Sequence, residues 1–390
     1  MIKSAQAGLV GAALLAVAAG PAAADPGRWR ATGVSRIPLE YYQGVTSDPL
    51  GHLWFDGVFA GLYRADARLR EQRRNDTVIP PAVTAAEGYN HVGDISWDAG
   101  EGGRILLPLE CYHPGRPGGE NSCGTGSIGV ADPGTLRWRY SVKLDPAEIA
   151  KAMWVEASPD GRLLWTSAGG DLLAHRASDV TRARAAPGGA PIRAVRRLPG
   201  AVPAEGITGA AFYGDRLLVA SQQDTAFRVW SIDLRSGARQ LEIERTIAGE
   251  SEGLVVTDAL GGTLHWIVTP LDPAGRPPTY PPPGNVLLHF TARAPRARLR
   301  LTARPRQLRV GHPARVRLKA TANGVAAAGV AVRFDGRLKL TSAAGVADFS
   351  VTPARVKRYR ATASRPDLRP ATLVVPAAGA RRPPTRSAGT

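Results

Sequence analysis

The chain has 390 residues, with 50 Lys or Arg and 33 Asp or Glu, so its formal net charge at pH 7 is +17. The charge is uneven: residues 291–390 hold 22 basic and 3 acidic side chains, which leaves 28 basic and 30 acidic side chains, a net −2, for the rest. The high isoelectric point is therefore a property of one C-terminal domain, and beyond the N-terminal segment no stretch is apolar and long enough to span a bilayer.

The N-terminal segment, residues 1–24, has the three parts of a secretory signal peptide. Lys3 lies in a short polar start, a small and apolar run extends from Ala7 to Gly20, and three alanines precede Asp25. A transmembrane anchor, the alternative, needs roughly 20 strongly apolar residues, whereas this run is rich in Ala. We therefore expect an exported protein, secreted, extracellular or associated with the cell envelope, without a transmembrane segment.

Residues 25–292 predict an all-β domain, a β-propeller. Within them a unit of about 45 to 60 residues recurs five times, the length of a four-stranded blade. Short β-branched and aromatic runs alternate with turns such as Pro159-Asp160-Gly161, a pattern typical of antiparallel meanders. The five units open, in chain order, at Gln43, His91, Met153, Glu205 and Glu252.

A ring of blades protects the sheet edges that an open array would expose. This count gives five blades; six fit if the long second unit conceals two, and a pair of stacked β-sandwiches is the alternative to a ring. We expect Arg28–Pro38 to form the outer strand of the last blade and so to close the ring. Only Asp145–Ala152 has a helical pattern, and it is too short to be a crossover.

The two cysteines, Cys111 and Cys123, are separated by a loop rich in Gly, Pro and Asn. A metal site would need more ligands than this loop supplies, and an exported chain meets an oxidising environment. We therefore predict a disulfide that restrains a long surface loop by lowering the entropy of the open chain.

Residues 293–376 predict a β-sandwich, because short strands alternate apolar and basic side chains between turns. Two segments, Val330–Phe334 and Gly345–Phe349, carry a resemblance to bacterial immunoglobulin-like modules of exported proteins. Alternation places the arginines on solvent faces, where they predict attachment to an anionic cell-envelope polymer; a merely solvated face is the alternative. No aromatic platform interleaves with the cations, so specific nucleic-acid recognition is not expected. Residues 377–390 predict a disordered basic tail.

The start of each inner strand of a propeller lies near one end of the axial channel, where polar side chains converge. Carboxylates gathered there repel one another unless a cation or shared protons relieve them, so Ca²⁺ or another divalent cation is a candidate ligand. Glu87, Glu205 and Glu252, each followed by Gly, are the candidate metal ligands. His91 and Asp94 are the candidate general bases. The candidate binding residues are Gln43, Asn90, Glu156 and Ser251.

Two family resemblances attach to these segments. Glu205-Gly206-Ile207 and Glu252-Gly253-Leu254 resemble the inner strands of gluconolactonase-type (SMP-30-like) propellers, which implies axial carboxylates and a divalent cation used to hydrolyse lactones. Tyr42–Val45, with the Glu-Gly-Ile-Thr run that begins at Glu205, is similar to glutamine cyclotransferases, which implies five blades.

The sequence contains no zinc-protease helix, P-loop, dinucleotide-binding glycine motif or nucleophile elbow. The first hypothesis is therefore a secreted binding protein that presents its polar axial site to a small molecule, saccharide or peptide, with the basic domain holding it near the envelope. The alternative is a metal-dependent hydrolase of the lactonase or esterase kind, because propellers host both classes.

Overall fold

A computed structural model describes residues 28–57, 59–113, 123–184, 190–270, 284–293 and 296–379. The predicted signal peptide, residues 1–24, lies outside these residues, as do residues 380–390 of the predicted tail. The described chain is almost entirely β-structure, arranged as a five-bladed β-propeller followed by a curled sheet. No helix in the described segments is long and apolar enough to cross a bilayer.

The strands of the propeller follow one another in chain order. The N-terminal strand is β1 (Trp29–Ile37). The first sheet contains β2 (Val45–Ser47), β3 (Leu53–Gly57), β4 (Gly61–Ala65) and β5 (Glu71–Asn75). The second contains β6 (His91–Val92), β7 (Ser96–Asp98), β8 (Arg104–Glu110), β9 (Ser127–Ala131) and β10 (Trp138–Lys143). The third contains β11 (Glu156–Ala157), β12 (Leu163–Ala168), β13 (Asp171–Arg176) and β14 (Arg196–Leu198). The fourth contains β15 (Gly209–Tyr213), β16 (Arg216–Gln223), β17 (Ala226–Asp233) and β18 (Arg239–Thr246). The fifth contains β19 (Gly249–Val256), β20 (Leu264–Pro270) and β21 (Asn285–Ala292), with β1 added at its edge.

Strand β1 closes the ring. It pairs antiparallel with β21 from Trp29 opposite Ala292 to Ile37 opposite Asn285, so the fifth blade combines the two ends of the propeller. The predicted closing strand is thereby confirmed, and so is the count of five blades, because the long second unit forms one sheet.

Each pair of neighbouring blades shares an apolar core, because successive residues of a strand point to opposite faces of the sheet and apolar side chains cover both faces. Leu107 of β8 packs with the first blade, whereas the adjacent Leu106 packs with the third. The second strands of blades one, three and five each bury a tryptophan between sheets: Trp54, Trp165 and Trp266. Five such interfaces hold the blades around one axis.

In the described part of the propeller there are two short α-helices: α1 (Pro81–Glu87), before the second blade, and α2 (Ala177–Arg184), within the third. The helix predicted over Asp145–Ala152 is wrong. The segment forms a single turn, in which the N–H groups of Glu148 and Ile149 donate to the Asp145 carbonyl at 2.9 Å and Asp145 Oδ1 accepts the Ala147 N–H, but the chain does not continue as a helix.

The C-terminal strands form one curled sheet whose two halves enclose a core. They are β22 (Ala297–Arg304), β23 (Leu308–Arg309), β24 (Ala314–Ala322), β25 (Val325–Ala326), β26 (Ala331–Phe334), β27 (Arg337–Leu340), β28 (Val346–Val351), β29 (Lys357–Arg365) and β30 (Leu368–Ala378). Strand β22 joins the halves, since it pairs antiparallel with β24 and parallel with β30. The predicted start of the tail at residue 377 falls inside β30, where Ala377 is buried. The immunoglobulin-like classification stays a prediction.

Candidate functional site

Asp94, in blade two, occupies the middle of the propeller axis and contacts the other four blades. Its Oδ1 accepts the N–H of Val45, from blade one, at 3.1 Å. Its Oδ2 accepts the N–H groups of Ala210, from blade four, at 2.8 Å and of Leu254, from blade five, at 3.4 Å. Its backbone N–H donates to the carbonyl of Met153, at the start of blade three, at 3.0 Å. Burial raises the pKa of Asp94 well above its usual range, although these backbone donors act in the opposite direction.

Glycines allow the inner strands to approach this carboxylate. A Cβ added at Gly253 would lie 2.4 Å from Asp94 Oδ1, and one at Gly209 would lie 2.9 Å from Asp94 Oδ2. One at Gly44 would lie 2.8 Å from Asp94 Cα. The strands therefore leave no room for a side chain at this level, and Asp94, predicted as a general base, is enclosed by backbone groups of the neighbouring blades. The axis consequently has two separate ends: an upper end where the inner strands begin, near Gln43, and a lower end where they finish, near Ser158.

The upper end gathers several of the predicted residues. Gln43 Nε2 donates to Glu252 Oε2 at 3.1 Å, and the Tyr42 hydroxyl donates to Glu250. His91 Nδ1 lies 3.3 Å from Glu110 Oε2, and both side chains are largely buried. His91 therefore has a carboxylate that can orient its ring, as a general acid or base requires.

Carboxyl groups crowd the upper end. Burial raises the pKa of Glu252 well above its usual range, and the charges that add to this effect come from Glu250, Asp56, Asp94 and Glu110. Burial, followed by the charge of Asp94, likewise raises the pKa of Asp56, which is completely buried. Each negative charge at this end therefore makes ionisation of its neighbours less favourable.

Two predicted binding residues at this end have structural partners. The Asn90 side chain donates to the carbonyl of Tyr112 at 2.9 Å and accepts its N–H at 2.7 Å, which anchors the chain next to Cys111. The Ser251 hydroxyl accepts the Trp266 indole N–H at 3.1 Å and lies 3.0 Å from the Thr208 hydroxyl.

The predicted metal ligands are not brought together. Glu87 ends α1 and lies 3.2 Å from Lys143 Nζ, whereas Glu205 lies in a turn and accepts from Arg228 at 3.2 Å. Only Glu252 reaches the axial cluster. Among the described residues, no group of three or more His, Cys, Asp or Glu is arranged to hold a metal ion.

The three Glu-Gly pairs that suggested a repeated ligand have unrelated causes. Gly88 caps α1 with φ 82°, a left-handed conformation that glycine adopts without strain. Gly206 has φ 86° and donates its N–H to the carbonyl of Pro203 in a turn. Gly253 is required by its contact with Asp94. The same dipeptide thus serves three local geometries.

The predicted disulfide between Cys111 and Cys123 is present, with 5.2 Å between the two Cα atoms. Cys111 directly follows β8 and is buried. The residues from 114 to 122 inside this loop lie outside the described residues.

The lower end of the axis opens into a cleft of about 480 Å³ that sequence reasoning did not locate. Its floor consists of the ends of inner strands from all five blades, and its roof is the C-terminal domain. The floor includes Ser47, Trp97, Asp98, Glu156, Ser158, Phe212, Val256 and Thr257. The roof includes Gly329, Ala331, Leu340, Ser364, Arg365, Pro366 and Asp367. The volume is that of an ordinary small-molecule pocket.

Glu156 is the predicted binding residue that reaches this cleft. Its Oε2 accepts from the Ser96 hydroxyl at 2.6 Å, and its Oε1 accepts the Phe212 N–H at 3.3 Å. Burial raises its pKa to about 8, so at neutral pH this carboxyl retains its proton and adds a neutral polar group to the floor.

Other polar groups of the cleft are held in place by ion pairs. Asp98 Oδ2 accepts from Arg104 Nε at 2.7 Å, whereas Asp98 Oδ1 is buried without a hydrogen-bond partner among the described residues. In the roof, Arg365 binds Asp367 through two nitrogens at 2.6 and 2.7 Å. Fixed polar groups next to the aromatic rings of Trp97 and Phe212 suit a ligand with both hydroxyl groups and an apolar ring face.

No protein-family model matches the sequence, and no curated protein does. Among solved structures, a Myxococcus xanthus glutaminyl cyclase is 9% identical with a TM-score of 0.40, covering 68% of this chain and 97% of its own. A luciferin-regenerating enzyme is 12% identical with a TM-score of 0.42, covering 67% and 95%. A glucose dehydrogenase is 11% identical with a TM-score of 0.37, covering 66% and 99%. These proteins are β-propellers, as this chain is by its own sheet order and ring closure.

Proposed function

We propose that this protein is an exported binding protein that holds a small hydroxylated molecule, of monosaccharide or disaccharide size, in the cleft between its propeller and its C-terminal domain. The observation that carries the proposal is the cleft itself, since all five blades and the second domain contribute to its lining. Pockets at domain interfaces with a few convergent polar groups are the usual sites of small ligands.

Binding rather than hydrolysis is the better supported activity. The divalent-metal lactonase hypothesis needs Glu87, Glu205 and Glu252 in one site, and these side chains have separate partners. In the cleft, Glu156 and Asp98 are already bound to neighbouring groups, as expected of side chains that orient a ligand. The His91–Glu110 pair lies at the other end of the axis.

A panel of monosaccharides, disaccharides and sugar alcohols, screened by thermal shift and then by calorimetry, tests this proposal. A bound sugar raises the melting temperature of the native state by mass action. Glu156→Gln keeps the size of the side chain but replaces one acceptor oxygen by an NH₂ donor, so the side chain can no longer accept from both Ser96 and Phe212. We expect the altered position of this side chain to weaken binding about tenfold, as loss of one hydrogen bond to a ligand does.

Glu252→Gln is the matched control, because it makes the same change in a buried carboxyl at the upper end of the axis. Binding that is unaffected in Glu252→Gln and weakened in Glu156→Gln supports the cleft. The reverse pattern assigns the ligand to the upper end and overturns the proposal, as does the failure of every compound in the panel to bind.

Export is the second part of the proposal. The Cys111–Cys123 disulfide supports an oxidising compartment, where such bonds persist. Expression of the full chain with its N-terminal segment in a bacterial host, followed by N-terminal sequencing, should give mature protein that begins at Asp25 and is recovered outside the cytoplasm. Full-length protein retained in the cytoplasm would contradict export.

A further inference from the structure

One surface of the C-terminal domain concentrates its positive charge. Along β22, β24 and β28 the side chains alternate between core and solvent, so that Leu299, Leu301 and Val316 are buried while the residues between them are exposed. We call the solvent side of these three strands the basic face. Its cations are Arg298, Arg300, Arg304, Arg315, Arg317 and Lys319.

Little on the basic face neutralises these cations. Asp348 of β28 is the acidic residue among the strands of this face, and it accepts from Arg315 at 2.7 Å and from Arg317 at 3.1 Å. Arg298, Arg300, Arg304 and Lys319 form no ion pair within the described part of the chain. The face therefore carries a local surplus of positive charge that a polyanion can neutralise.

The register of the strands places the cations in rows. Arg304 lies directly opposite Arg317, and Lys319 lies opposite Thr302. Alternate side chains on a strand are about 7 Å apart and neighbouring strands about 5 Å apart, so the row from Arg298 to Arg304 extends about 20 Å. Like charges placed opposite one another destabilise a sheet, and a bound anion removes this repulsion.

The opposite sheet of the same domain differs, although it also bears arginines. There Arg358 and Arg360 lie along β29, and the residues opposite them on β30 are apolar, Pro376 and Val374. Val374 is 47% exposed, which makes this surface a mixed one. On the basic face, by contrast, Arg300 and Arg304 lie opposite Thr321 and Arg317, so the residues opposite these cations are polar or charged.

We propose that the basic face binds an extended linear polyanion in which phosphate groups recur along a flexible chain. Guanidinium groups pair with phosphate oxygens through two parallel hydrogen bonds, and a sequence of such pairs follows a row of arginines. The exposed side chains of β22 and β24 are Arg, Lys and Thr, so nucleobases find no aromatic ring on which to stack. This inference goes beyond the proposed function of the cleft, because it concerns a separate surface, and it gives a chemistry and a location to the anionic polymer that the sequence predicts as a partner.

Long-chain inorganic polyphosphate is the probe, used with the full mature chain in fluorescence or calorimetric titrations at several salt concentrations. The triple variant Arg298→Ser, Arg300→Ser, Arg304→Ser removes three unpaired cations from the basic face. We expect its affinity to fall at least about tenfold at 0.1 M salt, and the slope of log K against log salt to decrease by about 2, or about 0.7 for each lost contact.

The matched control is Arg333→Ser, Arg358→Ser, Arg360→Ser, which makes the same charge change on the opposite sheet. Circular dichroism is used to check that both triple variants fold. If the variant of the basic face does not fold, the single variant Arg300→Ser takes its place. Equal losses in the two triples would overturn the proposal, because they would indicate a response to net charge alone. Tighter binding of mixed-sequence single-stranded DNA than of polyphosphate, or the absence of saturable binding, would overturn it too. Sugar binding in the cleft is measured on the same variants and should not change, so the two proposals fail separately.

Discussion

Replacement of Asp94 by Asn tests whether one carboxylate holds the blades together. In the native protein this group, which is 1% exposed, accepts backbone N–H groups from Val45, Ala210 and Leu254, in three different blades. An asparagine in the same rotamer keeps one acceptor oxygen and replaces the other by an NH₂ group, which is a donor. At least one buried N–H then faces a donor instead of an acceptor.

The expected loss of stability follows from that count. A buried N–H left without an acceptor costs about 1–3 kcal/mol, so Asp94→Asn should lower the free energy of unfolding of the propeller by about that amount. Asp94→Ala orphans all three donors, and its expected cost of about 3–9 kcal/mol is comparable with the whole stability of a typical domain. We therefore expect the alanine variant to be recovered poorly or in unfolded form.

Urea unfolding followed by tryptophan fluorescence is the assay, because all eight tryptophans lie before residue 267 and so report on the propeller alone. Asp56→Asn is the control. Asp56 is also fully buried, but neither of its side-chain oxygens has a hydrogen-bond partner among the described residues, so an amide should change stability by less than about 1 kcal/mol. Equal effects of Asp94→Asn and Asp56→Asn would refute the structural role of Asp94.

Three further predictions use the same unfolding assay. Burial lowers the pKa of His265 to about 4, and Nδ1 of His265 lies 2.7 Å from Nδ1 of His289, so the pair is neutral in the folded state. The free energy of unfolding should therefore decrease by about 3 kcal/mol as the pH falls from 6.5 towards 4. The decrease should be smaller in His265→Gln, and a flat profile in the wild type would contradict this prediction. Glu156 gives a pH dependence of the opposite sign, because its pKa is raised and the folded protein holds a proton that the unfolded chain releases. Stability should decrease as the pH rises from 4.5 to 8, and this decrease should be absent in Glu156→Gln. Replacing Cys111 and Cys123 by Ser opens a crosslink between residues 12 apart and should cost about 3 kcal/mol, whereas a reducing agent should destabilise the wild type and leave the double variant unchanged.

Much of the architecture could be predicted because it follows from local patterns. Alternation and turn residues identified the blades, and the surplus strand before Pro38 identified the closure, since a ring needs one strand to join its ends. Helix α1 could also have been found: Pro81 at its start and Gly88 at its end are the usual boundary residues. In α2, Asp179 in the first turn and Arg184 in the last complement the helix dipole.

The site was harder to predict, because a short motif does not specify which side chains meet. Glu87, Glu205 and Glu252 look alike in sequence, yet the glycine after each serves a helix cap, a turn and a contact at the axis. The cleft depends on how the C-terminal domain sits on the propeller, which no single segment encodes. Glu156 was selected for its place at the start of a strand, but its partners, Ser96 and Phe212, come from two other blades.

Closure of the ring by β1 has a consequence for the order of events during synthesis. Strand β1 finds its partner only when β21 exists, more than half of the chain later. Until then β1 and the edge of the unfinished sheet remain unpaired, and exposed strand edges recruit other chains. A protein built in this way completes its fold only after the fifth blade has been synthesised, because the two ends of the ring must be present together before they can pair.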